Sequence, residues 1–152
     1  MNENKQTYKY LISSCLVGID CRYNGTSTNI PELKAMVEQG KALCVCPEVL
    51  AGLPTPRESC EIQVANNKCY IKGQSGKDYT DEFETGAQKT LEIALSNHID
   101  HAILQSRSPS CGFGKIYDGK FSGKLIAGNG VTAELLAKHE INIWTEENWN
   151  TK

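Results

Sequence analysis

Three thiols in this chain share one setting. Cys15 closes a strand-like run at 8–15 that is apolar at 10–12, Cys46 follows another at 41–45, and Cys111 lies in the stretch 106–123, just after a third run at 101–104. Each run reads as a buried strand, so each thiol stands at or just beyond a strand's carboxyl end. Thiolates are soft ligands for zinc and for iron–sulfur clusters. The chain has no Cys-x-x-Cys, and no histidine clusters with these three. That pattern argues against a zinc ribbon, a zinc knuckle or a thioredoxin-like pair, and for a cluster assembled from distant loops. A 4Fe–4S cluster normally takes four thiolates; held by three, it leaves one iron open to a soft atom such as sulfur. Each thiol by itself reads equally as a buried structural cysteine.

The neighbouring residues supply the rest of the chemistry. Glu48 lies two residues after Cys46, where a carboxylate beside a metal suits proton transfer, although a solvated loop glutamate fits the spacing as well. Ser108 and Ser110 flank Pro109 beside Cys111; they can orient a water or a substrate carbonyl, or simply build a turn. Arg22, Arg57, Arg107 and Lys115 are cations able to offset a cluster's negative charge. Gly112, Gly114, Gly119 and Gly123 allow close backbone approach, with amide N–H groups free for cluster sulfides or for a small anion. Tyr23 and Asn24 either line a pocket or only build the Asn24-Gly25 turn. Cys21 is the candidate fourth thiolate, and its ligation would close the open iron and give a non-catalytic carrier or staple. Cys44, Cys60 and Cys69 read as structural, and His98, His101 and His139 as caps, core or surface.

A frame must bring these groups together. Pro31 opens a first helix that Gly40 stops, with Leu33, Met36 and Val37 on one face. Residues 49–57 read as a loop rich in Gly and Pro. Residues 61–64 and 68–71 alternate around Asn66-Asn67, which predicts a small hairpin. Thr80 is the expected cap of the next helix, with Phe83, Ala87, Leu91, Ala94 and Leu95 as its buried stripe. Residues 106–123 read as one Gly-rich loop. A last helix is expected over about 131–139, with Val131, Leu135 and Leu136 inward, then a closing strand at 141–145. Strands alternating with helices predict an α/β fold: a three-layer Rossmann-like domain with a mostly parallel sheet and a small β-hairpin insertion. Ligands bind such sheets beyond the strands' carboxyl ends, where the three thiols stand.

With 152 residues, one domain is expected over 1–152. A net charge of −2 offers no basic field for nucleic acid, so nucleic-acid binding is not expected. No apolar run approaches the length of a membrane span, and the first residues lack a signal peptide's apolar region. Seven cysteines cannot all pair internally, so the expected compartment is the reducing cytoplasm.

Longer motifs carry a resemblance. They are Ser14-Cys15-Leu16 with Gly18, Arg22-Tyr23-Asn24-Gly25, Cys46-Pro47-Glu48-Val49-Leu50 with Gly52-Leu53, Pro54 with Pro56-Arg57, and Glu61-Ile62. They continue as Ser108-Pro109-Ser110-Cys111-Gly112, Ile116-Tyr117-Asp118-Gly119 with Phe121-Ser122-Gly123, and Gly128 with Gly130-Val131-Thr132-Ala133. Over nearly its whole length the chain resembles the thiouracil desulfidases, a family long catalogued as a domain of unknown function. Asn24 stands where the family commonly has aspartate, and many members lack Cys21. The resemblance implies a 4Fe–4S cluster on Cys15, Cys46 and Cys111, with Glu48 and Ser108 catalytic. It implies a small thiolated pyrimidine such as 2-thiouracil as substrate, converted to uracil and hydrosulfide. The alternative is a non-catalytic module that carries a cluster or binds a small anion.

Overall fold

The computed structural model describes residues 8–150. Its centre is a parallel sheet of β1 (Tyr10–Ser13), β2 (Ala42–Val45), β5 (His101–Leu104) and β8 (Asn142–Thr145), in the order β2-β1-β5-β8. Neighbouring residues on these strands bury into opposite faces. Leu11, Ala102 and Leu104 pack with Leu91 and Ala94 of α3 (Thr80–Ser96) and with Ala133 and Leu136 of α4 (Val131–Lys138). Ile12 and Ile103 point the other way, onto Leu33 of α1 (Pro31–Glu38) and the half-buried Met36, Val37 and Trp149. A sheet covered on both sides explains the continuous apolar strands and makes three layers, as the sequence predicts. Full burial of Leu11 and Ile12 is worth ~1.5–3 kcal/mol each. His101 lies between the rings of Tyr10 and Trp144, at 5.6 and 5.3 Å, so it is part of this packing.

The predicted hairpin forms as β3 (Cys60–Ala65) and β4 (Lys68–Gly73). Asn66 and Asn67 both take positive φ at its turn, the conformation that suits the twist of paired strands. Ile62 and Ile71 pack with Phe83 at the start of α3 and with Ile116.

Several expectations need correction. Residues 49–57 are not all loop: α2 (Pro47–Leu50) is a short helix with proline in its first turn. It lies against α3 at Gly86, where an added Cβ would stand 2.1 Å from Pro47 O, so only glycine permits the approach. Thr80 is not the cap of α3. Its N–H donates to Asp78 Oδ1 at 2.8 Å, and its own Oγ1 accepts from Ile71 N. Leu95 is half exposed, and Gly86 and Thr90 complete the buried stripe of α3. The stretch 106–123 contains β6 (Lys115–Tyr117), which pairs antiparallel with β7 (Leu125–Ala127) in a second hairpin. No helix among the described residues is long and apolar enough to cross a membrane.

Candidate functional site

The strand registers decide where the thiols meet. Ser13 pairs with Val45, so β1 and β2 end level. Cys15 leaves β1 in a 3-10 turn, Ser14–Leu16, and Cys46 leaves β2 as the residue before α2. The end of β5 is tied to the same edge, because Gln105 N donates to Ser13 Oγ at 3.0 Å. Beyond it the chain folds back on Ser108, whose Oγ accepts from Ser110 N (3.0 Å) and Cys111 N (2.8 Å). The loop is then pinned to the start of α4: Thr132 N donates to Ser110 O, and the Ser110 and Thr132 hydroxyls lie 2.9 Å apart. Cys15, Cys46 and Cys111 consequently line one small cavity, and Cys21 lines it with them. Cys44 does not; it packs in the sheet beneath.

All seven cysteines are unpaired. Cys21 packs in one apolar cluster with Cys15 and the half-buried Cys46. Hydrogen bonding to Cys15 and burial push the Cys21 thiol up to about 11. Burial pushes Cys111 up to about 12, and the bond to Cys21, with burial, also raises Cys46. These thiols are therefore neutral without a cation, and a metal centre is what would deprotonate them. Among the described residues no group of three or more His, Cys, Asp or Glu could hold a single metal ion. Soft thiols that share a cavity without enclosing one ion fit a cluster, which spreads its ligands over separate irons.

Next to the thiols opens a cleft of about 670 Å³, a size usual for small-molecule sites. Arg22, Glu48, Gln105 and Ser108 line both the thiol cavity and the cleft, so they form the wall between the two. Glu48 is the second residue of α2, and its Oε1 accepts from Arg57 Nε at 3.0 Å. The Arg57 guanidinium is held on every side: Nη1 donates to Pro54 O and Thr55 Oγ1, both at 3.0 Å, and Nη2 to Cys21 O at 2.8 Å. The Gln105 amide satisfies its neighbours with its oxygen on Arg22, accepting from Nε at 3.1 Å and Nη2 at 3.3 Å. Its –NH₂ then faces Cys15 Sγ at 3.0 Å, so Gln105 bridges a cation to a thiol.

Other expected neighbours lie elsewhere. Arg107 borders the cleft but pairs with Glu147 at 2.9 Å, and Lys115 is exposed on β6 and lines neither cavity. Tyr23 lines the cleft, whereas Asn24 is used by its own turn, accepting from Thr26. The glycine-rich amides are engaged: Gly112 N donates to Ser108 O, Gly114 N to Asn129 Oδ1 and Gly130 N to Gly112 O. Those three amides are therefore not free to cradle an anion. Cys60, read from sequence as structural, stands in the cleft wall, where burial pushes its thiol up to about 12.

The family model for 2-thiouracil desulfurase matches residues 10–148. The chain belongs to the 2-thiouracil desulfurase family. The desulfurase-family chain is 44% identical over 146 residues to the "Uncharacterized protein YbbK" of Bacillus subtilis (strain 168), across 92% of this chain and 97% of that one. It is also similar to a solved [4Fe-4S]-dependent thiouracil desulfidase, TudS, with a TM-score of 0.86 and 41% identity over 94% of this chain and 93% of that one. Sequence reading of this desulfurase-family member missed Gln105 as a site residue. The signal for it was present, since Gln105 directly follows β5 and stands at the edge used by the thiols.

Proposed function

We propose that this chain is a 4Fe–4S-dependent desulfidase that exchanges sulfur for oxygen in a small thiolated pyrimidine such as 2-thiouracil. The observation that carries the reading is the shared wall: Glu48 and Ser108 border both a cavity of thiols and an open cleft. Cys15, Cys46 and Cys111 would hold the cluster. Bound there, it supplies a Lewis-acidic iron with affinity for a soft sulfur atom.

The chain's own residues do the rest. The Ser108 oxygen already accepts two backbone N–H groups, which leaves its proton to donate to a water or a ring carbonyl. Arg57 anchors Oε1 of Glu48, and Oε2 takes no hydrogen bond from the described residues, so it is the oxygen available to accept a proton. Water adds to the thiolated carbon as Glu48 takes its proton; the C–S bond breaks and hydrosulfide leaves. Uracil, hydrosulfide and one proton account for every atom, and no electron is transferred. The seven unpaired thiols support action in the reducing cytoplasm.

The test is anaerobic reconstitution, with iron, sulfide and 2-thiouracil turnover assayed in wild type and in Glu48→Gln. Wild type should hold about four irons per chain. Glu48→Gln should keep them and lose turnover by ~10²-fold or more. Full turnover in an iron-loaded Glu48→Gln protein would remove Glu48 from the reaction, and no iron under any condition would remove the cluster.

A further inference from the structure

Residues 18–30 form the loop between the first 3-10 turn and α1, and among them Cys21 is the one buried side chain. It is only 7% exposed and packs in the same apolar cluster as Cys15. Loop burial usually follows bulk and apolarity, yet exposed Ile19 and Tyr23 flank this thiol. Its backbone is fixed from two directions: its N–H donates to Ile19 O at 2.7 Å, and its carbonyl accepts from Arg57 Nη2 at 2.8 Å, with Cys46 Sγ at 3.7 Å from the same oxygen. A cysteine kept only to fill space has no reason to share a cavity with three other thiols. Cys21 packs in one apolar cluster with Cys15 and Cys46 and lines the cavity that Cys111 completes.

We propose that Cys21 is a fourth protein thiol of the cluster site, closing the iron left open by Cys15, Cys46 and Cys111 until a sulfur-bearing substrate displaces it. The inference rests on the cluster reading above and adds a resting, capped form to it. The exchange is of ligands alone. The Cys21 sulfur leaves with its electron pair and takes a proton from water, and nothing is oxidised or reduced. The other three thiols leave the ends of the sheet or a loop pinned to α4, whereas Cys21, though its backbone is bonded in place, is carried by a loop with an exposed surface.

The test uses the loaded enzyme. Wild type, Cys21→Ala and Cys21→Val are reconstituted anaerobically and then treated with ferricyanide. Iron is counted, and the three-iron cluster is followed by electron paramagnetic resonance. An iron without a protein thiolate is the first to be lost on oxidation. Cys21→Ala should therefore lose about one iron in four and gain the three-iron signal, while wild type keeps its iron. Equal loss, or equal retention, in the two proteins overturns the proposal and leaves the cluster reading intact. If Cys21→Ala does not load, Cys21→Val provides the comparison, and wild-type resistance to ferricyanide in that variant overturns the proposal. Absence of iron from all three proteins overturns the cluster reading and this inference with it.

Discussion

Replacing Arg57 by glutamine should cost this protein about 1 kcal/mol more stability than replacing its partner Glu48 by glutamine. The Arg57 side chain is 5% exposed and that of Glu48 18%, with 3.0 Å between Nε and Oε1. Removing one member of a buried pair leaves the other charge uncompensated, at about 3–5 kcal/mol. The residual exposure of Glu48 puts the pair near the low end of that range. The Cys21 carbonyl also loses its 2.8 Å donor, adding about 1 kcal/mol, whereas Pro54 O and Thr55 Oγ1 are exposed and turn to water. The total for Arg57→Gln is about 4 kcal/mol. In Glu48→Gln the new amide oxygen still accepts from Arg57 Nε and the other three bonds remain. The Arg57 cation, 5% exposed, is nevertheless left without its counter-charge, at about 3 kcal/mol. Equilibrium urea unfolding at matched iron content separates the two. With m of ~1–3 kcal/mol/M, the midpoint should fall by ~1–4 M for Arg57→Gln and by ~1–3 M for Glu48→Gln. An Arg57→Gln or a Glu48→Gln protein as stable as wild type would refute the claim that this pair is buried and fixes the Glu48 carboxylate.

Three further outcomes follow from the same geometry. Gly130→Ala places a Cβ 2.5 Å from the Ser110 carbonyl, so it should push the Cys111 loop off α4, lower stability by ~1–3 kcal/mol and reduce the iron bound per chain; wild-type iron content and melting would count against that packing. Gln105→Leu removes the –NH₂ that faces Cys15 Sγ, so the loaded protein's reduction potential should fall, and an unchanged potential would deny the contact. Hydrogen bonds from Tyr79 Oη and from the backbone and hydroxyl of Ser75 hold the Glu58 carboxyl below its ordinary value. Its contribution is therefore present above the unfolded carboxyl's range and lost as pH falls through the depressed folded value. Glu58→Gln should lower the melting temperature at neutral pH, and the difference from wild type should close in acid; a difference that persisted there would show the loss to be steric.

The parts of the fold legible in the sequence are those whose signals are local. Leu11-Ile12 and Ala102-Ile103 are continuous because both faces of the sheet are covered, and Pro47 and Asn66-Asn67 mark their own boundaries. The helix α2 carries no such signal. It has one turn, too short to be stable alone, and it exists because α3 offers Gly86 at the point of contact. The strands β6 and β7 have three residues each, set among glycines, and only their pairing identifies them.

The same division runs through the site. Cys15, Cys46 and Cys111 were legible together because parallel strands that end level must deliver their next residues to one edge. Glu48 was visible only as a neighbour of Cys46. What makes it more than a loop carboxylate is Arg57, and what fixes Arg57 is the 18–30 loop. Its N–H donates to Tyr23 O at 2.6 Å, and its guanidinium holds Cys21 O. Residues 21–23, 46–48 and 54–57 are thus three segments without regular pattern that hold one another. Each is weakly specified by its own sequence, and none can move without disturbing a thiol or the carboxylate. Such mutual dependence is long-range, so no periodicity or spacing records it. Whether Cys21 is a fourth ligand stays open in the sequence for the same reason: the contacts that give the thiol a place at the site come from Cys15, Cys46 and Arg57, residues that only the fold brings to it.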